Sequence, residues 1–213
     1  DGSCSKLLGC SDSDVVEYDG YTCPVITIGY QCWFQENLKT TKYNNGDDIA
    51  NIQDDGEWTS LDQNETGAWA HYNNNPYYEL EASYGKLYNW YAVNDSRSIC
   101  PSGWHIPSKN EFEVLFNYLG GIGTAGNLIR SPNFLDGSNS SGFSSIASGS
   151  RSSNGLFQYN NESENPINHI WTSTVIANGS YPDDLYYIQI KTNISIYGYP
   201  TPRTGMSVRC LRD

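Results

Sequence analysis

The sequence predicts an α+β fold of short helices, a small antiparallel sheet and a long loop-rich region, stapled by disulfides. Three observations carry this expectation. Near the middle, Ser108 and Glu111 are spaced as a capping box, and Phe112, Leu115, Phe116 and Leu119 then recur at helical spacing. In the last quarter, four runs rich in β-branched and aromatic residues alternate and are separated by turn residues. Between them, residues 127–168 are dominated by Gly, Ser and Asn, with Phe134, Phe143 and Phe157 as isolated anchors, a composition that cannot sustain long regular elements.

Taken in order, residues 1–22 read as a polar N-terminal appendage, with Ser11-Asp12-Ser13-Asp14 at its centre, and 23–213 as one domain. Residues 25–34 alternate and predict a hairpin of two short strands. Asn44-Asn45-Gly46-Asp47-Asp48 and Asp54-Asp55-Gly56 are turns. Trp69-Ala70-His71-Tyr72 is a short extended piece before an Asn-rich loop. In 84–93, Leu87, Trp90 and Tyr91 share one helical face, which predicts a short helix. The capped helix spans 109–119 and stops at Gly120-Gly121; Pro101 and Pro107 hold its entry extended. Strands are expected over 170–175, 185–190, 194–197 and 206–211. In the second of these, Leu185, Tyr187 and Gln189 face one way and Tyr186, Ile188 and Ile190 the other. One face of the sheet then enters the core and the other is Tyr-rich and half exposed.

A hydrophobic fraction of 38% with 17 Tyr and 6 Trp suffices for a core and leaves rings for the surface. The net charge of −12 argues against nucleic acid, whose binding needs a basic face, and against anionic lipid. Neutral glycans, cations and proteins remain as partners. No apolar run approaches the roughly 20 residues of a membrane helix, so no membrane insertion is expected. An N-terminus at Asp1, without Met, suggests a processed chain. Six cysteines fit three disulfides of an extracellular or cell-surface protein, with fifteen pairings possible in principle. Proximity suggests Cys4–Cys10 and Cys23–Cys32, which leaves Cys100–Cys210 to tie the helix entry to the final strand. Asn-x-Ser/Thr occurs at Asn64, Asn94, Asn139, Asn161, Asn178 and Asn193, marking solvent-facing glycosylation sites if the source modifies them.

Several ordered motifs carry a family resemblance. They are Ile28-Gly29-Tyr30-Gln31-Cys32-Trp33-Phe34-Gln35-Glu36-Asn37-Leu38, Tyr84-Gly85-Lys86-Leu87-Tyr88-Asn89-Trp90-Tyr91-Ala92-Val93, Cys100-Pro101-Ser102-Gly103-Trp104-His105-Ile106-Pro107-Ser108, Gly142-Phe143-Ser144, Trp171-Thr172-Ser173 and Met206-Ser207-Val208-Arg209-Cys210. From about Cys23 onward the chain resembles the Fibrobacter succinogenes major paralogous domain. The resemblance implies a C-type-lectin-like fold, distantly similar to formylglycine-generating enzymes, and little about ligand. Those enzymes oxidise peptidyl cysteine with reactive thiols; here Cys100 and Cys210 occupy disulfide-like positions, which argues against that chemistry.

Other chemistries find little footing. The three histidines, His71, His105 and His169, lie far apart with no second ligand at metal spacing, and a structural hydrogen bond to backbone is the expected role of His105. There is no Gly-x-Ser-x-Gly elbow, and no enzyme activity is expected. No cofactor is expected apart from calcium, for which Asp47-Asp48, Asp54-Asp55-Glu57 and Asp183-Asp184 are the acidic candidates. Glu164-Asn165-Pro166 holds the residues of a calcium-lectin triplet in a different order. The candidate ligand-binding residues are Trp171, Tyr181, Asp183, Asp184, Tyr186, Tyr197 and Tyr199, because rings among polar neighbours suit sugar faces and protein partners alike. The expected function is a secreted adhesion or binding module for a glycan or surface protein. The alternative is a self-associating structural subunit of an extracellular filament or surface layer.

Overall fold

In the computed structural model, which describes residues 10, 14–80, 83–160, 164–175, 185–198 and 200–213, the chain enters on an antiparallel meander. Strand β1 (Val15–Tyr18) pairs with β2 (Tyr21–Ile28), which pairs with β3 (Gln31–Phe34), so the predicted hairpin forms. The expected boundary after residue 22 falls inside β2. Of the expected N-terminal segment, the described residues 15–22 form β1, the turn after it and the first two residues of β2. Gly29 makes the hairpin turn at φ +62°, and a Cβ there would stand 2.9 Å from the Tyr118 ring.

The chain continues through β4 (Ala50–Asn51), α1 (Asp55–Ser60), β5 (Ala68–Ala70), α2 (Tyr77–Leu80), β6 (Leu87–Tyr88) and α3 (Trp90–Val93). The helix expected over 84–93 is thus only partly present. The Asn89 side chain accepts from Ala92 N as an N-cap, so helix begins at Trp90, while Leu87-Tyr88 pair with β5. Next come β7 (Trp104–His105), α4 (Lys109–Tyr118), α5 (Ile122–Ile129), β8 (Ser148–Arg151), β9 (Phe157–Asn160), β10 (Asn168–Val175), β11 (Leu185–Ile190), β12 (Ile194–Gly198) and β13 (Leu211–Arg212).

Strands dominate this mixed fold, in sheets ordered β1-β2-β3-β13-β7, β12-β11-β10-β8-β9 and β4-β5-β6. Two pairs, β4–β5 and β8–β10, run parallel, against the expectation of antiparallel pairing throughout. α4 starts at the predicted cap, with Ser108 and Glu111 bonded reciprocally, and buries Phe112, Leu115 and Phe116. Those side chains meet Ala125 and Ile129 of α5, Trp33, Ile188, Ile190 and Ile194 in one core cluster. Each such side chain contributes roughly 1.5–3 kcal/mol by leaving water. A second cluster gathers Tyr88, Trp90, Trp171, Val208 and the Cys100–Cys210 bridge.

The strand expected over 206–211 is short, because its first residues lie between elements instead of along one. Met206 exchanges both backbone hydrogen bonds with Tyr88, Ser207 N donates to His169 O, Trp171 N donates to Ser207 O, and Leu38 N donates to Val208 O. This extended thread stitches β6, β10 and the segment after β3 together. Arg209 within it is fully buried; its guanidinium donates to Asn37 Oδ1 and to the carbonyls of Phe34, Phe143 and Ser144.

Cys100–Cys210 forms as expected. The other expected pairings give way to Cys10–Cys32. The register explains why: Thr27 lies opposite Cys32, and Thr27 Oγ1 donates to Cys10 O at 2.6 Å. Cys23 is four residues further along β2, about 13 Å at the strand rise, beyond the ~7 Å Cα separation a disulfide tolerates. Cys23 is buried without a disulfide partner among the described residues, and burial pushes its thiol up to about 11. Cys4 lies outside the described residues.

Candidate functional site: an uncharged aromatic cleft

Alternation along β11 divides its two tyrosines. Ile188 and Ile190 face α4 and α5, and Tyr186 lies on their side of the strand, under the Lys109 ammonium at 5.5 Å. Tyr187 faces the opposite way and is stacked on Tyr197, its direct partner on β12, with centroids 5.7 Å apart. His169 of β10 meets Tyr187 edge-on at 5.4 Å, and Tyr159 of β9 meets His169 edge-on at 5.9 Å. Cross-strand neighbours on one face of a sheet lie close enough for such ring pairs to form. Four strands thus present a continuous row, Tyr159–His169–Tyr187–Tyr197.

Tyr159, His169 and Tyr187 of the row line a cleft of about 250 Å³, and Tyr197 backs Tyr187 by stacking on it. Ser150, Ser152, Ser153, Gln158, Thr201 and Thr204 supply hydroxyls and an amide around it. Among the described residues no Asp, Glu, Lys or Arg lines the cleft, although the chain carries a net charge of −12. His169 does not break that neutrality, because burial holds its pKa down at about 4. Its Nε2 lies 3.4 Å from Gln189 Oε1, and its Nδ1 has no hydrogen-bond partner. With Nε2 donating, Nδ1 is a buried acceptor.

Tyr159 holds its ring there from a backbone φ of +67°, a costly conformation for a bulky residue. On the other side of Gln158 and Tyr159 lies a second cleft of about 420 Å³, lined by Tyr72, Phe157, Glu164 and Asn165 as well as those two residues.

Of the residues expected from sequence to bind, Tyr197 is 44% exposed and belongs to the row. Trp171 shares its face but is fully buried: Trp90 covers it at 5.4 Å and its Nε1 donates to Tyr88 O. It is a core residue, not a ligand contact. Tyr186 is on the far face. Tyr181, Asp183, Asp184 and Tyr199 lie outside the described residues. Sequence reasoning missed Tyr159 and His169 as site residues; the alternation of Phe157 and Tyr159 across Gln158 was the available signal.

The acidic candidates for calcium are engaged elsewhere. Asp48 pairs with Lys42, Asp47 with Arg97 and Asp55 with Arg151, while Asp54 caps α1. Among the described residues no group of three or more His, Cys, Asp or Glu is placed to hold a metal. His105 bridges two carboxylates, Glu111 at 2.9 Å and Asp213 at 2.6 Å, in place of the expected backbone partner. Of the sequons, Asn64, Asn94 and Asn193 are exposed. The Asn139 amide is occupied on both sides by Ser144, and Asn161 and Asn178 lie outside the described residues.

The model of the Fibrobacter succinogenes major domain matches residues 26–212. The chain belongs to this family. No curated protein and no solved structure matches it significantly. Within this major domain the match takes in every strand of the ring row, and it ends just beyond the thread that carries Arg209 and Cys210. No helix among the described residues is long and apolar enough to cross a membrane.

Proposed function

We propose that this major domain is a bacterial secreted or cell-surface binding module, C-type-lectin-like in architecture, that holds a neutral glycan against Tyr187, whose ring Tyr197 supports. The single observation behind the reading is the uncharged, ring-and-hydroxyl-lined cleft on an otherwise acidic chain. Pyranose rings offer flat C–H faces to aromatic rings and hydroxyls to Ser, Thr and Gln, whereas a cationic or anionic ligand would find no counter-charge among the described lining residues. The disulfides fit an oxidising compartment.

The test is a glycan array probed with the purified protein, with and without chelator. Neutral glycans are retained, chelator changes nothing, Tyr187→Ala weakens binding about tenfold (about 1.4 kcal/mol), and Tyr186→Ala matches wild type. An array with no neutral glycan bound, or a folded Tyr187 variant that binds normally, overturns the reading.

A second reading, a self-associating filament or surface-layer subunit, is favoured by one observation. Tyr30, Val114 and Tyr118 are 68%, 50% and 61% exposed. Val114 and Tyr118 share one face of α4, and the Tyr118 ring lies against Gly29 beside Tyr30.

A further inference from the structure

We infer that the ligand is a linear neutral glycan several units long, crossing Tyr159 from the Tyr187 cleft into the Tyr72/Phe157 cleft. This rests on the glycan-binding reading and goes further, assigning a second subsite and a dividing residue. The two clefts are not separate features, because Gln158 and Tyr159 line both. Alone, 250 Å³ falls below and 420 Å³ near the low end of the ~300–1,000 Å³ typical of ligand sites, and together they fall well within it.

Each cleft sets aromatic rings beside hydrogen-bonding groups. Tyr159 and Tyr187 neighbour Ser and Thr hydroxyls on one side; Tyr72 and Phe157 neighbour the Asn165 amide on the other, where the Glu164 carboxylate adds a hydrogen-bond acceptor. A chain of similar units needs such repetition, and a single small ligand does not.

The backbone at the junction is shaped for this. Tyr159 is 39% exposed and stands at φ +67°. Gly149, at φ +71°, lies across from it, between the Ser148–Asn160 and Ser150–Gln158 pairs. A strand interior gains nothing from that conformation, whereas a ring raised between two subsites does. His169, 7% exposed, lines the same cleft and meets Tyr159 edge-on at 5.9 Å, bracing the raised ring from below.

The experiment is isothermal titration calorimetry of the intact protein with β-1,4-linked gluco-, manno- and xylo-oligosaccharides of increasing length, from the monosaccharide upward. Affinity in one series rises at least tenfold over the first few units and then levels off. Tyr159→Gly keeps the left-handed backbone available, so the fold persists on thermal melting, yet it removes the gain in affinity with chain length. Asn165→Ala, at a residue that lines only the second cleft, weakens only the longer chains. Binding of a short sugar with no gain from length overturns the two-subsite inference and leaves the glycan reading standing. No binding at any length, in any series, by a folded wild-type protein removes both.

Discussion

At the scale of single residues, His169 couples the cleft to pH. Its neutral form is favoured by burial, with a folded pKa of about 4 against the ordinary 6.5. As pH falls below 6.5 the unfolded chain takes the proton first, so the contribution is complete above 6.5 and drains away as pH approaches 4. The full difference is roughly 3 kcal/mol. His71, also held low by burial, adds in the same direction. Urea midpoints are therefore expected to fall steadily between pH 6.5 and 4, and His169→Phe flattens that slope; an unchanged slope in the variant refutes the assignment. How far such residues were legible differs case by case. Tyr197 was readable because strand alternation in 194–197 puts it outward. Trp171 was misjudged because the alternation is right but a helix from 80 residues upstream covers it, and long-range cover leaves no local trace. Tyr159 was hidden in a Ser- and Asn-rich stretch, in a backbone conformation that no tyrosine signals.

At the scale of elements, local signals were the most faithful. α4 begins and ends where its cap, its apolar spacing and Gly120-Gly121 place it, because each signal acts within a turn or two of chain. Ser108 Oγ accepts from Glu111 N, and the Glu111 carboxylate accepts from Ser108 N and Oγ. Burial pushes the Glu111 carboxyl up, but these hydrogen bonds and His105 outweigh it and leave the pKa lowered. Ser108→Ala is expected to cost about 1 kcal/mol, lowering the melting temperature by about 2–4 °C; a variant that melts with wild type shows the cap to be dispensable. The disulfides show the opposite limit. Cys23 and Cys32 are near in sequence, but the hairpin register places Thr27, not Cys23, opposite Cys32, and nearness in sequence says nothing of register. Likewise 206–210 has a strand's composition and becomes a thread, since its partners lie on three different elements.

For the whole molecule, net charge and surface pattern set how copies meet. A charge of −12 keeps copies apart at low ionic strength, and salt screens that repulsion. On the self-association reading, sedimentation in added salt rises with concentration, and Tyr118→Glu returns the protein to a single slow species. A species independent of concentration denies the Tyr30/Val114/Tyr118 patch that role. The thread of residues 206–210 has a consequence for the order of events. It forms an inner seam on which Tyr88, Trp171 and Leu38 all depend, yet it is among the last parts of the described chain to be made. Until that seam is in place the interior of the domain is unfinished, and the bond between Cys100 and Cys210 then latches it.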